Sequence, residues 1–404
     1  MFIPSARTWE EMSYERAGFW PVPINKGDEY ALLLKVPTNV IKAAYRSAPI
    51  TLSVATASTP VGAVLATVLV IADDPSAPLG VSGVARHVEE QLALREILRL
   101  GETLFIFFDE LSRPVVRARC FLEQETRRLA LAQIESRREW YSGAWIPTFV
   151  EVLDEVDALV DPTNPAASKH CPVMTQVALT LTNFETNRIT AIGEHEVLDF
   201  RLDDPDEGHG LEQTTWHLLE ALFGSRIFHS PRIPEANGTT ELTDILGLCE
   251  LGHCLFEAKA IAILNTSTDR STDRRTKNIH KQIDKGVAQL PGAMRNLAAS
   301  VPLSSSSGEP ISVPANTGSL RVGVIMVSEL LPSVDWRAVA DQLVKAATTA
   351  NAPLVVLDLQ ELRLLVGISK SPDHLMAHLV RRFEIMVQNR SAFIRTKLDG
   401  PPMP

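Results

Sequence analysis

Glu257 and Lys259 stand one residue apart inside the apolar run CLFEAKAIAIL (254–264). Two charges embedded in such a run need a partner or a metal, because unpaired burial is costly. In an extended strand, side chains alternate between faces, so Glu257 and Lys259 share one face while Phe256, Ala258 and Ala260 fall on the other. Upstream, TELTDILGL (240–248) reads as a second strand carrying Asp244, and residues 250–253 supply a Gly-containing reversal that folds the two strands together. HGLEQTTWHLLEALFG (209–224) reads as a helix bearing Glu212, with Leu211, Leu218, Leu219 and Leu222 on one side and Gly224 as its C-terminal cap. The order helix, strand, strand gathers Glu212, Asp244, Glu257 and Lys259 at one point. Carboxylates gathered in this way bind a hard divalent cation such as Mg2+, and an adjacent lysine holds or polarises a water.

A chain of 404 residues with 45% hydrophobic content implies two or three globular domains with ordinary buried cores. The longest apolar run, residues 61–72, falls well short of the roughly twenty residues that cross a bilayer and reads as a buried strand. MFIPSARTWEEMSYERAGF lacks the basic start and apolar stretch of a signal peptide, so cytoplasmic residence is the default expectation. The four cysteines, Cys120, Cys171, Cys249 and Cys254, are irregularly spaced and argue against a disulfide framework. A net charge of -10 means that any nucleic-acid affinity must come from a local patch.

Two segments rich in Pro, Ser and Asn, 161–172 and 300–317, read as punctuation. The expected organisation is an N-terminal recognition or regulatory domain over residues 1–165 and a second domain over 173–404. In the former, the runs ALLLKV, ITLSVATAS, AVLATVLVIA and TLFIFF alternate with charged amphipathic segments at 87–100 and 120–140, which predicts an α/β or α+β unit without a catalytic constellation. In the latter, MTQVALTLTNF and ITAIGEHEVLDFRL lead through an acidic loop (203–207) into the Glu212 helix. A strand at 226–229, the two site strands and a helix over 277–297 interrupted at Pro291 follow. The strand LRVGVIMVSE, a helix (336–350), the strand PLVVLDL and a helix (373–388) complete an α/β sheet flanked by helices.

The set Glu212, Asp244, Glu257 and Lys259 resembles the PD-(D/E)xK, or restriction-endonuclease-like, nuclease superfamily. That resemblance implies a core of helix, three strands, helix and strand, onto which residues 209–328 can be laid as a mixed sheet flanked by helices. It further implies that Asp244 and Glu257 bind Mg2+ (or Mn2+), that Lys259 positions the attacking water and that Glu212 completes the metal shell. Gln289 in KGVAQL matches the glutamine often carried by the family's following helix, while Thr243 stands where the family usually has proline. The activity implied is metal-dependent hydrolysis of nucleic-acid phosphodiester bonds, by a DNA endonuclease in a prokaryotic antiviral defence or restriction setting. The N-terminal domain would then recognise a protein partner, a signal or a nucleic-acid feature, or form a homo-oligomer. Two alternatives stand beside this one: a non-catalytic nuclease-like scaffold within a larger complex, and an RNA-cleaving toxin.

Arg270, Arg274, Arg275, Lys277, Lys281 and Lys285 outnumber Asp269, Asp273 and Asp284, and read as either a phosphate-facing patch or a solvated helix entry. Cys249, His253 and Cys254 offer three zinc-ligand types without a fourth ligand or paired spacing. His209 and His217 share roughly one helix face. The DDPDE run (203–207) lacks the EF-hand pattern and reads as a solvated turn at a helix start. At 6% aromatic residues, the chain is poor in base-stacking platforms.

Overall fold

Residues 4–74, 78–137, 139–161, 169–192, 197–236, 238–260 and 271–397 are described by the computed structural model. The fold is mixed α/β, built on two separate larger sheets. The N-terminal sheet contains β1 (Gly18–Ile24), β2 (Glu29–Lys35), β3 (Ile50–Thr59), β4 (Gly62–Ile71), β5 (Leu79–Val84), β6 (Glu102–Phe108), β7 (Pro114–Leu122) and β8 (Val173–Thr186). Their order is β1-β2-β6-β7-β8-β3-β4-β5, with β2 and β6 parallel and every other pair antiparallel. Helices α1 (Ala6–Tyr14), α2 (Thr38–Tyr45), α3 (Val88–Leu100), α4 (Gln124–Glu135) and α5 (Thr148–Val160) accompany it.

Apolar runs such as ALLLKV are continuous because both sheet faces are covered, which removes the usual in-out alternation. Leu32, Leu34, Phe105 and Phe107 pack with Leu94, Ile97 and Ile134 of α3 and α4. On the opposite face, Leu33, Ile106 and Phe108 meet Met12 of α1, while Ala55, Ala66 and Val68 meet Phe149, Val152 and Val156 of α5.

Strand β8 corrects the boundary drawn from sequence. The Pro-rich segment ending at 172 suggests a second domain beginning at 173, yet β8 pairs with β7 on one side and β3 on the other, inside the N-terminal sheet. Composition marks where a chain turns, but which sheet a strand joins depends on pairings far apart in sequence.

After a β9 (Ile189–Ile192) and β10 (Val197–Phe200) hairpin, the chain enters α6 (Glu207–Phe223) and β11 (Ile227–His229). A second hairpin of β12 (Arg232–Glu235) and β13 (Gly238–Glu241) precedes β14 (Ile245–Leu248), β15 (Gly252–Lys259), α7 (Thr272–Ala298) and β16 (Leu320–Val327). Helix α8 (Trp336–Ala350), strand β17 (Leu354–Leu357) and helices α9 (Leu359–Ile368) and α10 (Pro372–Asn389) end the fold. The second sheet runs β11-β14-β15-β16-β17, antiparallel through β15 and parallel thereafter. Leu246, Leu255 and Ile325 face Ile279, Ile283 and Leu343 of α7 and α8. Ile245, Phe256 and Val324 face Leu219, Leu362 and Leu375 of α6, α9 and α10.

Two expectations change here. Helix α7 runs unbroken through the buried Pro291, and α9 follows β17 directly where the sequence reading has no element. Two glycines fix the packing around β15. Gly252 has φ 150°, and a Cβ there would lie 1.9 Å from Leu320 O on β16. A Cβ on Gly286 of α7 would come within 2.8 Å of Ile325, so the helix rides close over the strand beside β15.

Candidate functional site

Asp244 occupies the bend immediately before β14, not the strand itself. The register that pairs Ile245 with Phe256 sets Asp244 across from Glu257. Its Oδ2 accepts a hydrogen bond from the Ala258 amide at 2.6 Å, and the Thr243 hydroxyl, in the position read as a departure from proline, donates to Phe256 O at 2.9 Å. Both bonds tie the bend to β15. Lys259 Nζ then lies 2.8 Å from Glu257 Oε2 and 3.2 Å from Asp244 Oδ2, so one ammonium bridges two carboxylates.

The electrostatics follow from burial. Glu257 is 2% exposed, and burial, followed by the neighbouring Asp244 charge, pushes its carboxyl up to about 7. Burial also raises Asp244, with Lys259 opposing and Glu212 adding to the rise. Burial pulls the Lys259 ammonium down, but the Glu257 and Asp244 carboxylates outweigh it and hold its pKa above the ordinary value.

Glu212 lies on α6 at the other face of the sheet. It does not lie close enough to Asp244 and Glu257 for the three carboxylates to share one cation as they stand, which departs from the expected convergence on one point. Its Oε1 sits 2.6 Å from His229 Nε2, and Ser230 Oγ donates to it at 3.4 Å. Ser230 in turn donates its amide to Asp244 O at 2.8 Å, so the end of β11 links Glu212 to the Asp244 bend. His229 lies against the Trp216 ring, with centroids 5.7 Å apart. Glu241 also belongs to this neighbourhood: burial raises its pKa, and the Asp244 and Glu212 charges add to the rise. Sequence reasoning missed Glu241 and His229, although Glu241 lies only three residues before Asp244 in the same quoted run.

Gln289 is exposed on the flank of α7 and does not join the cluster. The glutamine that α7 buries is Gln282, one turn before Gly286, and its Oε1 has no hydrogen-bond partner among the described residues. A count of helical positions from the Ile279, Ile283 and Leu290 stripe separates the two glutamines only once the packed face is known.

The basic segment divides. Arg274, Lys277, Lys281 and Lys285 are exposed and recur at three- and four-residue spacing, forming one outward stripe opposite the packed face of α7. Arg275 is committed elsewhere: its guanidinium lies 2.6 Å from Glu329 and 3.3 Å from Asp73 and is only 12% exposed, so it is not a phosphate ligand in this arrangement. Arg270 lies outside the described residues.

The other constellations do not assemble. Burial raises the Cys249 thiol to about 11 and the Cys254 thiol well above its usual value, and Cys254 faces the α6 side of the sheet. Burial, then Arg321, lowers His253. His217 lies 3.8 Å from Glu220, while the His209 ring lies toward His229 at 6.4 Å. In the DDPDE run, Asp203 pairs with Arg201, Asp206 caps α6 through the His209 amide, and Glu207, far from solvated, pairs with Lys42 in the interior. Among the described residues, the group of three side chains close enough to share a cation is Glu11, His87 and Glu90, but Arg86 and Trp20 already bind the Glu11 carboxylate.

No family model, curated protein or solved structure matches this chain. Among the described residues, no helix is long and apolar enough to cross a membrane.

Proposed function

We propose that the protein is a metal-dependent nuclease hydrolysing phosphodiester bonds, a DNA endonuclease of a prokaryotic defence or restriction setting. The observation that carries this reading is the Lys259 ammonium lying within 3.2 Å of both the Asp244 and the Glu257 carboxylates. The order α6, β11, β14, β15, α7, β16, with the β12–β13 hairpin inserted after β11, supports it, since the resembled superfamily runs helix, three strands, helix and strand.

Asp244 and Glu257 offer the hard oxygen donors that a divalent cation takes. Asp244 and Glu257 crowd their charges at low exposure, Glu212 and Glu241 flank them, and in this arrangement the Lys259 ammonium occupies the position of the missing positive charge. Asp244 and Glu257 would hold Mg2+ or Mn2+, with Glu212 as a flanking carboxylate. The bound cation supplies charge neutralisation at the scissile phosphate and a more acidic water. Lys259 would orient a water by donating to its oxygen and would meet the negative charge building on the phosphate oxygens. His229 keeps Glu212 aimed at the Asp244 bend. The exposed stripe Arg274, Lys277, Lys281 and Lys285 would position the nucleic-acid backbone without reading sequence.

Purified protein is expected to cleave DNA with Mg2+ or Mn2+, to stop in excess chelator, and to lose cleavage in Asp244→Ala with the fold retained by circular dichroism. Full activity in chelator, or an active Asp244→Ala, refutes the assignment. The scaffold reading draws on one observation, the near-complete burial of Glu257; a folded wild type with no cleavage of DNA or RNA under any divalent metal favours it.

A further inference from the structure

Two histidines outside the carboxylate cluster stand one helical turn apart on α10. Pro372 takes the first helical position and the Ser371 hydroxyl accepts the His374 amide at 3.2 Å, which fixes the opening turn. Leu375, Met376 and Leu379 anchor the helix in the core it shares with α6 and α9, and Glu361 of α9 holds Arg382 at 3.0 Å. His374 and His378 lie at the margin of that packed face, both half-buried, with ring centroids 4.4 Å apart. Among the described residues neither ring pairs with a carboxylate, and the buried Nε2 of His378 has no hydrogen-bond partner. His374 accepts at Nδ1 from the exposed Lys370 amide, at a long 3.3 Å. Burial, then the neighbouring His374, lowers the pKa of His378, so its ring is neutral at pH 7. A neutral imidazole keeps a lone pair for a ligand.

We propose that His374 and His378 form a two-imidazole site for a first-row transition-metal ion, Cu2+, Ni2+ or Zn2+, with water completing the coordination. Histidines at i and i+4 share one helix face, the spacing at which two imidazoles hold one metal ion. Two nitrogens each about 2.0–2.1 Å from a metal stand roughly 3–4 Å apart. Rings already 4.4 Å apart reach that spacing by rotating about their soft terminal side-chain torsions. Coordination through both Nε2 atoms places the His374 proton on Nδ1 and hands the exposed Lys370 amide to water. Mg2+ and Ca2+ take oxygen donors, so this site discriminates against the ions that the Asp244 and Glu257 carboxylates suit. The two sites also lie on different faces: α10 packs on the α6 side of the sheet, whereas Glu257 follows Leu255 by two residues and points to the α7 side. The metal site does not depend on the nuclease reading.

The test uses the full chain, stripped by a chelator and dialysed, with Cu2+ as the probe in a large excess of Mg2+. Wild type should bind Cu2+ with an electron paramagnetic resonance spectrum showing coupling to two nitrogens. His374→Ala and His378→Ala should each weaken that binding about a hundredfold, the low end of what a second tethered ligand contributes, with helicity retained by circular dichroism. His209→Ala, which removes the ring facing His229, should leave it unchanged. A second measurement needs no substitution. Saturating Zn2+ should protect the tryptic peptide 371–381, which carries both histidines, from carbethoxylation by diethyl pyrocarbonate, as read by mass spectrometry. Cu2+ affinity unchanged in both single variants, a spectrum with one nitrogen or none, or a peptide modified equally with and without Zn2+ overturns the site. If a variant fails to fold, the protection of wild type decides. Neither readout involves cleavage, so the outcome leaves the nuclease reading to its own test.

Discussion

Replacing Glu257 by Gln removes a charge that the fold holds at a cost. The folded carboxyl titrates at about 7 instead of an ordinary 4.5, for reasons of burial first and the Asp244 charge second. At about 1.4 kcal/mol per pH unit, that elevation makes the ionised form roughly 3 kcal/mol less favourable in the folded protein than in the unfolded chain. The sign follows from the direction of the shift. Between the two values the folded state keeps a proton that the unfolded chain has released, so the stabilisation is complete below pH 4.5 and lost as pH rises through 7. Glu257→Gln does not titrate. It should match wild type near pH 4 and exceed it by up to roughly 3 kcal/mol at pH 8.5, measured by urea denaturation in excess chelator. Added Mg2+ at a hundred times its Kd should then stabilise wild type by about 2.7 kcal/mol and the variant far less. A variant no more stable than wild type at pH 8.5, or a difference that does not vary with pH, refutes the account of a carboxylate cluster short of positive charge.

Lys259→Ala withdraws the ammonium that bridges Asp244 and Glu257, and should lower stability in chelator by about 3 kcal/mol; Mg2+ should recover much of that loss while cleavage stays absent, as read by denaturation and gel assays. Replacing Arg274, Lys277, Lys281 and Lys285 together by Ala should reduce the magnitude of the salt slope of DNA binding by about three to four, since each phosphate contact releases condensed counterions. Arg275→Ala should leave that slope unchanged and instead destabilise the fold by about 3 kcal/mol, because it removes the buried guanidinium beside the Asp73 and Glu329 carboxylates.

Much of the candidate site was legible because strand periodicity and a short reversal are local properties. Glu257 and Lys259 share a face once the run is extended, and Gly252 permits the turn that sets Asp244 opposite them. The cap at Gly224, the strand within residues 61–72 and the helix of residues 336–350 were read from local patterns and appear in the fold. Gln289 lies on the exposed flank of α7 and Gln282 is the glutamine that the helix buries, because helical spacing defines a stripe but not which part of it meets the sheet. Arg275 read as part of a basic patch because its partners, Asp73 and Glu329, are remote in the chain.

The sequence by itself determined a mixed α/β chain and the shared strand face of Glu257 and Lys259, with the Asp244 segment folded against it. These follow from side-chain alternation and helical spacing over a few residues. Only the tertiary structure decided that β8 belongs to the N-terminal sheet, that His229 holds Glu212, and that Lys42 of α2 meets Glu207 of α6 in the interior. Such pairings join segments tens to hundreds of residues apart, and their partners are chosen by the shared burial of whole faces rather than by any local pattern.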